Sequence, residues 1–148
     1  MSNGPKSTKV NVISCLSYSD PNAAVEWLQR AFGFQPHTVY KDDSGAVMHA
    51  ELTFGNGMIM IGPAGKGEFG KRFMTMPGNC GDRCTQAVCV IVDDVDGHHD
   101  RAASAGAEIV MKPEYQSYGG RNYAARDPEG HVWSFGSYDP WAATAPAQ

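Results

Sequence analysis

Arg126-Asp-Pro-Glu-Gly-His-Val-Trp-Ser134 sets a tight turn against the start of an apolar strand. Proline holds its own φ, the glycine is free to take φ > 0, and His-Val-Trp-Ser-Phe alternates in the manner of a strand rich in aromatic and β-branched residues. A weaker copy, Phe54-Gly-Asn-Gly-Met-Ile-Met-Ile61, sits half a chain earlier. Two such hairpins predict a doubled fold.

The segments around the hairpins repeat in the same order. Val10 to Leu16 reads as a strand, and Asp20-Pro21 as an N-cap followed by a first-turn proline. Ala24, Val25, Trp27, Leu28, Ala31 and Phe32 recur with helical period up to Gly33, a C-terminal glycine signal. Strands follow at Gln35 to Lys41, Val47 to Phe54 and Met58 to Ile61, divided by hairpin-type turns. The second half gives a strand at Thr85 to Val92, a helix at Asp94 to Ala105, and strands at Glu108 to Met111, Gly120 to Arg126 and His131 to Gly136. Both halves read βαβββ. Asp20 and Asp93, Gly33 and Gly106, and Gly57 and Gly130 are each 73 residues apart, so one offset relates the strand end, the helix end and the last hairpin.

The expected organisation is a tail at 1–8, a first module at 9–62, a linker at 63–84, a second module at 85–139 and a tail at 140–148. The linker is rich in glycine, proline and charge and has no sustained periodicity. Neither half can cover both faces of its own sheet, so the modules are expected to pair into one curved, mostly antiparallel mixed sheet with helices outside and a cup within, an α+β fold.

Composition narrows the function. In 148 residues with a net charge of -4 there is no basic cluster, which argues against nucleic acid as a partner. No apolar run reaches membrane-spanning length, and the N-terminus lacks a leader's apolar core, so a cytoplasmic protein without membrane contact is expected. Cys15, Cys80, Cys84 and Cys89 are expected as reduced thiols, because Cys15 and Cys89 fall in strand-like runs and Cys80 and Cys84 lack zinc-knuckle spacing.

Phe32-Gly-Phe34, Val92-Asp-Asp-Val-Asp96, Ala105-Gly-Ala107, Tyr118-Gly-Gly-Arg121 and Asp127-Pro-Glu-Gly-His-Val-Trp133 together resemble the vicinal oxygen chelate superfamily, the glyoxalase, bleomycin-resistance and ring-cleaving dioxygenase group. Within it the PhnB-like branch is most similar, and the likeness spans about residues 9 to 139. The resemblance implies paired βαβββ modules, a homodimer or comparable internal pairing, and a cup for a small-molecule ligand or substrate. In metal-binding members, the ligand positions would correspond to Ile13, Ile61, Gln86 and Ser134. Two isoleucines cannot hold a cation, and an amide and a hydroxyl are weak donors. No cofactor is therefore expected. A divalent metal belongs to the alternative, a lyase, isomerase or ring-cleaving dioxygenase with an atypical site.

Strand parity supplies the remaining candidates. If Ile13 and Gln86 point into the cup, so do Cys15 and Val88, with Val132, Ser134 and Gly136 from the last strand. In Val47 to Phe54 the apolar set is expected to face the helix and the polar set the cup, which pairs His49 with Glu51 as candidates for proton transfer or for a metal site with Gln86. Arg121, after a Gly-Gly pair, is a candidate clamp for an anionic group. Trp141 and its aromatic neighbours are candidates to stack on a flat ligand. His131 and Trp133 take the helix-facing parity, and His98 and His99 are expected on the solvent side of the second helix.

Overall fold

The computed structural model describes residues 9–142. The expected N-terminal tail and residues 143–148 of the C-terminal one lie outside the described residues. The first module runs β1 (Ser14–Tyr18), α1 (Pro21–Phe32), β2 (Gln35–Lys41), β3 (Val47–Phe54) and β4 (Gly57–Pro63). The second runs β5 (Val88–Ile91), α3 (Val95–Ser104), β6 (Glu108–Tyr115), β7 (Arg121–Arg126) and β8 (Val132–Gly136). Between them, in the segment expected as a plain linker, lie a short helix α2 (Gly67–Phe73) and a 3-10 turn (Pro77–Cys80). Seven residues of α2 bury no side chain, which explains why no helical period is visible there.

Each module builds its own four-stranded mixed sheet, ordered β1-β4-β3-β2 and β5-β8-β7-β6, with the first strand parallel to the last and the others antiparallel. This is the doubled βαβββ fold. The two helices carry the apolar faces that the periodicity predicts, and they pack on each other as well as on their own sheets. Phe32 at the end of α1 lies 4.6 Å from the ring of Phe135 and 5.2 Å from that of Trp133, so one core serves both modules. Trp133, Phe135, Tyr123 and Phe32 are fully buried, each contributing about 1.5–3 kcal/mol through lost water contact.

The repeat is not uniform. Asp20 caps α1 by accepting from the Ala23 amide, and the residue in the same role on α3 is Asp94, which accepts from Gly97, rather than Asp93. The offset is thus 74 through the first strand and helix start and 73 beyond Gly106, because α3 is one residue shorter. That single residue reverses strand parity in β5.

Gly120 occupies a left-handed conformation (φ 74°), and a Cβ there would stand 2.6 Å from the Tyr138 backbone nitrogen. Gly120→Ala is expected to cost roughly 1–3 kcal/mol from strain and contact combined, read as a lowered urea midpoint. No helix among the described residues is long and apolar enough to cross a membrane.

Candidate functional site

The helices cover one face of each sheet, and among the described residues no helix or strand lies over the other. On the first module's open face, register aligns Cys15, Met60, Glu51 and Thr38 in a row across β1, β4, β3 and β2. The neighbouring row carries Ser17, Gly62, His49 and Tyr40. Leu52, Ala50, Ile59 and Ile61 turn the other way and are buried against the helix. His49 Nε2 and Glu51 Oε2 are 3.0 Å apart, and the Tyr40 ring sits 5.8 Å from that of His49. The expected polar alternation of β3 therefore holds from His49 onward. Met48 departs from it, exposed where a bulge opposite Tyr40 and Lys41 shifts the register.

The second module's open face is built from Cys89 and Ile91 of β5, Ser134 of β8 and Asn122, Ala124 and Arg126 of β7. Asn122 Nδ2 donates to Ser134 Oγ at 2.9 Å. Arg126 is held by Glu108 at 2.8 Å and by the Asp82 carbonyl at 2.7 Å. Cys89 pairs in register with Ser134 as Cys15 does with Met60, so the two thiols are repeat equivalents.

Several sequence expectations shift accordingly. Ile61 is buried, and Met60 takes the open-face position. Val88 and Val90 turn toward the helices, so Gln86, an exposed residue ahead of β5, follows their parity and Ala87 that of Cys89. Gln86 therefore does not join His49 and Glu51. Arg121 lies on the helix side: its Nε and Nη2 donate to both Asp96 carboxylate oxygens at 2.9 and 3.0 Å, and its guanidinium covers the Tyr115 ring. It clamps Asp96, lowering that carboxyl's pKa, and no anion. Trp141 is 93% exposed beyond β8.

Two buried constellations join the modules. Asp127, 4% exposed, accepts from Tyr18 Oη (2.7 Å), Trp133 Nε1 (3.1 Å) and the amides of Glu129 and His131 (3.0 Å each). Burial, then the adjacent carboxylate, raises the Tyr18 pKa well above its ordinary value. Glu129 grips the start of α1 through the Ser19 and Asp20 amides, while His131 packs on Tyr18 and bonds the Ser17 carbonyl, as its packing role predicts. His98, expected in solvent, is instead half-buried between the Phe32 carbonyl (2.8 Å) and the Tyr123 hydroxyl. Charge-rich flanking sequence hides this, since α1 covers His98 only after the modules meet.

The residues present do not fit the superfamily's divalent metal within one chain. Such a site takes about three protein ligands. The open-face positions hold Ile13, Met60, Ala87 and Ser134, and among the described residues no three His, Cys, Asp or Glu converge.

Paired βαβββ modules joined through their helices, with an open face on each sheet, define a doubled α+β scaffold built to present two sheet surfaces. The chain belongs to the Glyoxalase/Bleomycin resistance protein/Dioxygenase superfamily, whose model matches residues 9–135. It is 30% identical over 131 residues to the uncharacterized protein Mb0911c of Mycobacterium bovis, covering 86% of this chain and 85% of that one. The crystal structure of TioX from Micromonospora sp. ML1 is similar at 33% identity and a TM-score of 0.67, over 86% of this chain and 97% of that one. The fosfomycin resistance protein FosX of Listeria monocytogenes, solved with Mn(II) and 1S,2S-dihydroxypropylphosphonic acid, shares the fold at 15% identity and a TM-score of 0.64, over 95% and 94% of the two chains.

Proposed function

We propose that this protein binds a small, flat organic ligand in a cup closed by two copies of the chain, the first module's open face on one copy meeting the second module's on the other. The observation that carries the reading is the pair of uncovered, repeat-related sheet faces, which leave Tyr40 57%, Met111 60% and Ile91 41% exposed. A two-fold axis satisfies both faces at once, because what one copy lacks over each sheet the other supplies. Thioether, aromatic and aliphatic groups with few polar anchors make a surface suited to an apolar ligand. Four free cysteines accord with a reducing, cytoplasmic setting.

A second reading is favoured by the 3.0 Å His49–Glu51 contact: metal-free proton transfer, with Glu51 orienting the imidazole as base. A metal site shared with Gln86 is disfavoured by the parity of β5.

Sedimentation and a neutral fluorescent probe test the main reading. The wild type is expected to sediment as a dimer and to enhance N-phenyl-1-naphthylamine fluorescence. Ile91→Asp, at an exposed site that tolerates the carboxylate, should give a folded monomer with the enhancement lost. A monomeric wild type that leaves the probe dark would overturn the proposal.

A further inference from the structure

We propose that Glu51 anchors a positively charged nitrogen of the ligand, so that the cup selects planar organic cations. This rests on the reading of the open faces as a ligand cup. Charges on the second module's open face are already matched: Arg126 is paired with Glu108 at 2.8 Å, and Glu114 stands 3.6 Å from Lys112. The first module's face differs. Glu51 is three-quarters withdrawn from solvent, and its partner is His49, a cation only when protonated. The groups facing the pair from neighbouring strands are Cys15 of β1, Met60 of β4 and Thr38 and Tyr40 of β2, none of which carries positive charge.

A carboxylate only accepts hydrogen bonds and has about four acceptor sites, so one contact with an imidazole leaves capacity directed at the cup. Partial burial without a permanent counterion costs free energy that an incoming cation recovers. Two neighbours suit an organic cation in particular. The Tyr40 ring offers a π-face on the same side as the carboxylate, and the Met60 thioether, between Cys15 and Glu51 in register, is soft and polarizable. The same field rejects anions. An inorganic divalent ion is not matched, since no third ionisable ligand converges on the pair among the described residues.

The test compares proflavine, a planar cation, with neutral N-phenyl-1-naphthylamine on the dimeric full chain. Glu51→Gln keeps the shape and removes the charge, and circular dichroism confirms its fold. Proflavine affinity is expected to fall at least about tenfold, as for a charge-assisted hydrogen bond, while the neutral probe changes by less than about twofold. Equal proflavine binding by both proteins, with the neutral probe still bound, would overturn the anchor and leave the cup intact. Failure of the wild type to bind either probe would overturn both.

Discussion

Asp127→Ala should unfold roughly 10 °C below the wild type, the effect of about 3–5 kcal/mol in a chain of this size. The carboxylate is nearly inaccessible and satisfies four donors, two from side chains and two from the turn's own backbone. Alanine leaves the Tyr18 hydroxyl and the Trp133 indole N–H without an acceptor in the core, and unmakes the turn that delivers Trp133. Because Tyr18 belongs to the first module and Asp127 to the second, the loss also loosens their junction. Asp127→Asn should recover part of it: the Tyr18 hydroxyl can rotate to accept from the amide, but the indole N–H can only donate. Tyr18→Phe removes one donor and leaves the other three paired, so it should cost only about 1 kcal/mol. Thermal and urea unfolding measure all three. An Asp127→Ala midpoint within a degree or two of the wild type would refute this role.

Replacing His98 is expected to produce the second large effect, together with a change in how stability depends on pH. The Phe32 carbonyl can only accept, so Nε2 carries the ring proton, and Nδ1 accepts from the Tyr123 hydroxyl. Burial first, and the nearby Arg101 charge, hold the imidazole pKa below its ordinary 6.5, while the Phe32 bond partly opposes them. The folded state therefore resists a proton that the unfolded chain accepts. Stability from this group is complete above pH 6.5 and is lost as the pH falls below that value through the folded pKa. Protonation also forces the Tyr123 hydroxyl to turn, and burial keeps that phenol neutral. His98→Ala should cost about 2–4 kcal/mol at neutral pH, from the cavity beside Phe135 and two unpaired polar groups. It should also flatten the decline in stability between pH 7 and 5. A variant whose unfolding free energy falls with acid as steeply as the wild type's would remove His98 as the cause.

The doubled βαβββ order was legible because its signals are local. The Asp20 cap, the Gly33 and Gly106 stops, the hairpin turns and the alternation of β3 each depend on a few neighbouring residues, and the structure places those elements within a few residues of expectation. The first strand is the loosest match, beginning at Ser14 instead of Val10, since alternation continues past the point where the partner strand ends. His49 and Glu51 were legible as a pair for the same reason: two residues apart on a strand means one face. Gln86 and Arg121 were placed by counting. The missing residue in α3 shifts the count for one, and the side of the sheet that α3 occupies decides the other, whose guanidinium goes to Asp96.

By itself the sequence determined the elements, their repetition and the family, because turn chemistry and hydrophobic period act over one or two turns of chain. The tertiary structure alone decided what those elements face. Helices α1 and α3 meet each other, which buries His98 and Asp127 at the junction and turns both open faces outward. That outcome depends on contacts between residues such as Tyr18 and Asp127, 109 positions apart, and no local period encodes them.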